Sequence, residues 1–143
     1  MAQFTDEQLD EIWEKVKKDS SDYSGKMRKD ACGAWMKRDK YGDRNSSFGW
    51  EVDHIYPKSK LEDAHVPDDL INNMTNLRPL HWKNNDSKDA DYPHYESAVT
   101  AGLYRIADGK VGYSNIPSGK GKTINVDVQQ RIKKLFSGYD LKF

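Results

Sequence analysis

The pair Asp53-His54 sets an imidazole beside a carboxylate. With an unperturbed pKa of about 6.5, an imidazole can be neutral near pH 7 and take a proton from water. Taken alone the pair is a weak signal, because a surface carboxylate next to a hydrogen-bonded histidine is common. A second block shifts the balance: Asn76-Leu77-Arg78-Pro79-Leu80-His81-Trp82-Lys83-Asn84-Asn85-Asp86-Ser87-Lys88 gathers amides, a second histidine and cations a short way downstream. Proton abstraction needs a positioned base, and any anion formed in the reaction needs a cation or a metal to stabilise it.

The elements that must carry these groups can be read from pattern. Trp50-Glu51-Val52-Asp53-His54-Ile55 reads as a strand that Pro57 ends, and Ala34-Trp35-Met36-Lys37-Arg38 reads as another. Between them residues 41–49 are dense in turn formers. A polar loop is expected from Lys58 to about Asp69, with a short helical turn at residues 68–72. Leu77–His81 is a brief extended segment in which Pro79 disfavours an inner strand position, and a helix follows over about Lys83–Asp89. Thr5 and Gln8 have the spacing of a capping box, opening a helix whose Leu9, Ile12, Trp13 and Val16 share a face and which fades near Lys18. Residues 94–123 are Gly- and Tyr-rich, with short strands expected near 98–99 and 103–106. Val128, Ile132, Leu135 and Phe136 define a last helix opened by Asn125 or Asp127.

With those elements in place, the chain resembles the HNH endonuclease family. Its first motif reads Asp53-His54-Ile55-Tyr56-Pro57-Lys58-Ser59, its second Asn76-Leu77, its third Asn85-Asp86-Ser87-Lys88, in the strand, loop, extended segment and helix order of a ββα-metal finger. Asn85 stands where many members carry His, which makes this an HNN variant, similar to small stand-alone bacterial or phage members. The resemblance implies a metal-dependent endonuclease that hydrolyses phosphodiester bonds in DNA. By it, His54 is the general base, Asn76 bridges the loop and orients His54, and Asp53 and Asn85 hold one divalent metal through oxygens. An oxygen-only pair suits Mg²⁺ or Mn²⁺. Lys88 becomes a candidate phosphate contact, its ordinary reading being a solvated lysine. His81 and Asn84 occupy the places where zinc-stabilised members carry Cys-x-x-Cys. His81 is kept as an additional site residue, although a structural histidine is the simpler reading.

Length and composition bound the rest. The chain has 143 residues, which fits a single domain over 1–143 with its core motif at 50–90. The expected class is α+β: the finger flanked by an N-terminal and a C-terminal helix, both packing on it because the finger alone is too small for a stable core. Four Trp, eight Tyr and four Phe point to a core that relies on aromatic packing. Cys32 is the sole cysteine, which excludes an intrachain disulfide and a structural cysteine zinc site. Lys+Arg (23) and Asp+Glu (23) cancel, but they are unevenly spread. Residues 1–24 carry a net of −4, with Asp19 and Asp22 among the acids, and residues 110–143 carry +5, with Lys110 among the bases. Lys120, Lys122, Arg131, Lys133 and Lys134 are therefore candidate contacts to a nucleic-acid backbone. No apolar leader or membrane-length run is visible, so a soluble, cytoplasmic protein is expected. An RNA substrate stays open, and the alternative reading is a non-catalytic nucleic-acid-binding or scaffold protein that keeps the fold. A secreted nuclease toxin fits poorly, since those domains are strongly basic.

Overall fold

The computed structural model describes residues 4–18, 26–105 and 111–143. Asp19, Asp22, Ile106 and Lys110, named above, lie outside them. Among the described residues the protein is mixed α+β, with five α-helices and four two-stranded antiparallel sheets. No helix there is long and apolar enough to cross a membrane.

The centre is β3 (Trp50–His54) paired antiparallel with β4 (Leu77–His81), followed directly by α4 (Trp82–Lys88). Trp50 lies opposite His81, Asp53 opposite Arg78 and His54 opposite Leu77. Pro79 is tolerated because a two-stranded sheet has only edges, so no second ladder needs its missing N–H. Gly49 precedes β3 because any Cβ there would lie 1.9 Å from the Asp43 carbonyl oxygen.

The two faces of this unit are covered by the flanking helices. On one side, α1 (Asp6–Trp13) brings Leu9, Ile12 and Trp13 against Met36, Trp50 and Leu77. Its capping box forms as the sequence predicts: the Thr5 hydroxyl accepts from the Gln8 amide at 3.1 Å, and the Gln8 side chain accepts from the Thr5 amide at 2.9 Å. The helix ends at Trp13, earlier than its apolar spacing suggests. Arg28 accounts for this, because its guanidinium donates to the Trp13 and Val16 carbonyls and takes up oxygens that a longer helix would use. On the other side, α5 (Val126–Leu135), which starts after Asn125, buries Ile132, with Phe136 just beyond its end, in a cluster with Ile55, Leu61 and Leu80. The Trp13 and Trp50 rings meet at 5.2 Å. Each ring of this size removes on the order of 150–250 Å² from water, worth roughly 4–6 kcal/mol of transfer free energy at about 25 cal/mol per Å². A few such rings can therefore hold a small core together.

Several elements differ from the sequence expectations. Part of the supposed polar loop is helical, as α2 (Lys58–Asp63), and Leu61 is its buried residue. The short turn expected next is α3 (Asp68–Ile71). A short strand, β1 (Met27–Lys29), pairs with β2 (Trp35–Lys37). The stretch read as poorly periodic is a long ribbon, β6 (Val99–Arg105) with β7 (Val111–Pro117), beside a smaller pair, β5 (His94–Glu96) with β8 (Gly121–Thr123). Asn115 docks the ribbon on β2: its Oδ1 accepts from the Trp35 amide at 2.7 Å, and its Nδ2 donates to the Trp35 carbonyl at 3.0 Å.

Candidate active site

His54 is the last residue of β3, half-buried, with its ring in a cavity of about 190 Å³ that Asp53, Asn85, Pro57, Lys58 and Ser59 also line. Its Nε2 lies 2.8 Å from Oδ1 of Asn72, at the end of α3. A carbonyl oxygen can only accept, so Nε2 carries the proton and Nδ1 keeps the lone pair. Burial lowers the His54 pKa below the usual 6.5, while the Asn72 bond and the Asp53 charge pull it back up. The ring is therefore neutral and basic at pH 7.

The residue that orients this ring is Asn72, which the sequence reading missed. Asn76, expected in that role, is fully buried and acts one step away. Its Oδ1 accepts from the Tyr56 amide at 2.8 Å, its Nδ2 donates to the Tyr56 and Ile71 carbonyls at 3.2 Å each, and its carbonyl accepts from the Ile55 amide at 2.8 Å. Asn76 thus fixes the chain as it leaves His54 and ties it to the end of α3, where Asn72 sits. It bridges the loop as expected but does not touch the imidazole.

Asn85, in the middle of α4, donates from Nδ2 to Oε1 of Glu51 at 3.1 Å. Because a carboxylate only accepts, this bond fixes which end of the amide faces Glu51 and leaves Oδ1 as an available acceptor. Glu51 is itself held by Arg44, whose guanidinium makes paired bonds to Glu51 (2.9 and 3.0 Å) and to Asp86 (2.9 Å each). Arg44 therefore straps α4 to β3 beside Asn85.

Asp53 is buried, and both its oxygens meet cations: Nε of Arg78 at 2.7 Å and Nζ of Lys88 at 3.2 Å. Lys88 is fully buried, which corrects the expectation of a phosphate contact. Its ammonium also donates to the His54 and Ile55 carbonyls at 3.2 and 3.1 Å, so it anchors the end of β3 from α4. Burial lowers its pKa, and the Asp53 charge opposes that shift.

His81 is also structural. Its Nδ1 accepts from the Lys83 amide at 3.1 Å and caps α4, while Nε2 donates to the Ser47 carbonyl at 2.8 Å. With both nitrogens engaged it offers no lone pair to a metal, which corrects its place as an additional site residue. Asn84 is buried and bonded to the Val99 carbonyl and to the Ala98 and Val99 amides. Both positions are gathered by Asp30: one oxygen accepts from the Cys32 and Ala34 amides (2.9 Å each), the other from the His81 amide (2.9 Å) and Asn84 Nδ2 (3.0 Å). A buried carboxylate with four donors thus joins the turn after β1 to the start of α4. Burial and the Asp30 charge push the Cys32 thiol up to about 11, so it is protonated and inert near neutral pH.

The donors fit a hard cation that keeps part of its water shell. Asn85 Oδ1 is available, and a carboxylate has about four lone-pair sites, of which Asp53 uses one on each oxygen. Among the described residues there is no group of three His, Cys, Asp or Glu side chains suited to a metal. An ion here would rest on Asp53, the Asn85 amide oxygen and outside oxygens, with a second carboxylate, Asp89, also in the cavity lining. Of the C-terminal cations, Lys120, Arg131, Lys133 and Lys134 are exposed and Lys122 half-exposed, away from the lining of this cavity. Comparison with known protein families, with curated proteins and with solved structures returns no match.

Proposed function

We propose that the protein is a metal-dependent endonuclease of the HNH type, in the HNN form, acting on phosphodiester bonds in DNA. The observation that carries this reading is the His54 ring, fixed through Nε2 to Asn72 within a cavity whose wall also holds Asp53 and Asn85. The β3–β4–α4 order that brings strand end and helix together supports it. His54 Nδ1 takes a proton from the attacking water, and Asn72 holds the ring in the tautomer that can do so. Asn76 and Lys88 keep the end of β3 in place while this happens. Asp53 and Asn85 would hold Mg²⁺ or Mn²⁺, which supplies positive charge to the phosphate and the leaving oxygen. Arg78 and Lys88 offset the Asp53 charge, so a phosphate approaches a site that is not net negative.

That same offset favours a second reading, a nucleic-acid-binding protein without catalysis, because a carboxylate already paired with two cations attracts a metal less strongly. Supercoiled plasmid separates the two. Under the nuclease reading the native protein nicks or linearises it with Mg²⁺ or Mn²⁺, fails in EDTA, and loses the activity on His54→Ala. Equal cleavage by native and His54→Ala protein would remove His54 as the base, and binding without cleavage in every metal would leave the second reading.

A further inference from the structure

A second concavity, larger than the His54 cavity, is a groove of about 670 Å³ between the end of α1 and α5. Lys15, Lys17, Lys122 and Arg131 stand around it, and Arg78 lines its base. The one carboxylate in the lining, Asp30, gives both oxygens to the four donors described above and offers no charge partner to these cations. Arg131 meets Asp127 only at 3.5 Å on an exposed helix face. Burial lowers the Lys15 pKa, the Glu11 charge opposes that shift, and the Arg131 charge from the opposite wall adds to it. The N-terminal segment is acidic by sequence, but Lys15 and Lys17, just after α1, line the same groove as the basic C-terminal segment.

Two further features say what the groove suits. Nη2 of Arg78 is buried without a hydrogen-bond partner, while Nε of the same guanidinium pairs with Asp53 in the wall of the His54 cavity. The guanidinium also lies 5.3 Å from the centroid of the Tyr95 ring, so Arg78 brings its charge, not an exposed donor, to the groove. Leu77, Ile124 and Val128 add an apolar floor beneath the charged rim. Cations at the edge and apolar surface below match a nucleic-acid strand, whose phosphates need charge and whose sugars and bases need apolar contact.

We propose that this groove seats a stretch of nucleic-acid strand, with phosphates on Lys17, Lys122 and Arg131 and the strand passing behind Asp53 over Arg78. Calling that strand the substrate rests on the nuclease reading; its binding does not. The test is fluorescence anisotropy of a labelled oligonucleotide in EDTA over a salt series. Two variants remove equal charge: Lys122→Gln with Arg131→Gln in the groove, and Lys133→Gln with Lys134→Gln on the same helix but outside its lining. Each phosphate contact contributes about 0.7 to 0.9 to the log–log salt slope. The groove pair therefore lowers the slope by roughly 1.4 to 1.8, and the outer pair by less than half as much. Lys17→Gln with Lys122→Gln repeats the result from both walls should the first pair melt early. Equal slopes for the two pairs, no measurable binding by the native protein, or a mononucleotide competing as well as the strand would each overturn the proposal. His54→Ala keeps the full slope. A protein that binds through the groove but cuts nothing keeps this proposal and loses the nuclease; one that cuts with an unchanged slope in the groove pair does the reverse.

Discussion

Asp30→Ala is the substitution whose cost the structure sets most directly. The carboxylate is buried and accepts four hydrogen bonds, three from backbone amides (Cys32, Ala34, His81) and one from Asn84 Nδ2. Asn84 keeps another acceptor in the Val99 carbonyl, but the three backbone donors have none left when the carboxylate goes. A buried unsatisfied donor costs about 1–3 kcal/mol, which puts the loss at roughly 3–9 kcal/mol. Water entering the vacated space reduces it towards the lower end. Domains of this size hold on the order of 5–15 kcal/mol in total, so the variant is severely weakened or unfolded. Asp30→Asn keeps the shape and one accepting oxygen but turns an NH₂ towards two of the donors, so it falls between the native protein and Asp30→Ala. Urea unfolding followed by Trp fluorescence reads this directly, with the native slope against urea as the check on the folded state. A loss below about 1 kcal/mol for Asp30→Ala would mean that the joint between β1 and α4 does not depend on these bonds, and the reasoning would fail.

Two other predictions concern the imidazole. Asn72→Ala leaves Nε2 without its acceptor, so the ring loses both orientation and tautomer; kcat on plasmid falls on the order of 10- to 100-fold while oligonucleotide binding in EDTA is unchanged, and Asn72→Asp recovers part of the rate. If binding falls as much as kcat, Asn72 shapes the fold and not the base. For pH, burial holds both His54 and His81 below 6.5 in the folded protein. The unfolded chain then takes up protons below pH 6.5 that the folded chain refuses. Stability is full above that value and falls on acidification, by up to about 1.4 kcal/mol per pH unit for each histidine. Urea unfolding in EDTA between pH 7.5 and 5.5 measures it, and the dependence is shallower in His54→Gln; a rise in stability on acidification would contradict the burial account.

Local signals carried much of this fold. The Thr5–Gln8 box, β3 and α5 rest on patterns a few residues long and stand where those patterns put them, and α4 begins and ends one residue before the expected Lys83–Asp89. His54, Asp53 and Asn85 line one cavity, an arrangement expected from the motif resemblance and not from any local pattern. What escaped depends on partners far along the chain. α2 shows one buried apolar residue in six, too few for a helical period to stand out. The ribbon of β6 and β7 gains its register from pairing and from Asn115, neither visible in a Gly- and Tyr-rich stretch. Lysine is almost never buried unless paired, and nothing near Lys88 announces that Asp53, 35 positions earlier, is its partner. Asn72 lies beyond the reach of any spacing rule, since α2 and α3 must fold before it faces His54.

The consequences of metal removal follow from how the two sets of polar residues are used. The frame around α4 is saturated by hydrogen bonds: both His81 nitrogens, the Asn84 amide and both Asp30 oxygens have protein partners. At the cavity the Asn85 Oδ1 is left without a protein donor, and the Asp53 charge is shared with Arg78 and Lys88. A metal can therefore add to the chemistry without supporting the fold. EDTA is expected to abolish cleavage and leave the melting temperature within about 2 °C of the untreated protein, a shift that corresponds to roughly 0.6 kcal/mol at this size. Calorimetric titration with Mg²⁺ should show no binding tighter than the millimolar range in the free protein, because a charge-compensated Asp53, one amide and a second lining carboxylate, Asp89, supply few of the oxygens that the ion's octahedral shell needs. Adding an uncleaved oligonucleotide brings phosphate oxygens to the same cavity and should tighten that binding. A marked fall in melting temperature with EDTA would instead mean that a metal holds the frame, and the hydrogen-bonded joint at Asp30 would no longer explain why a chain with a single cysteine keeps α4 in place.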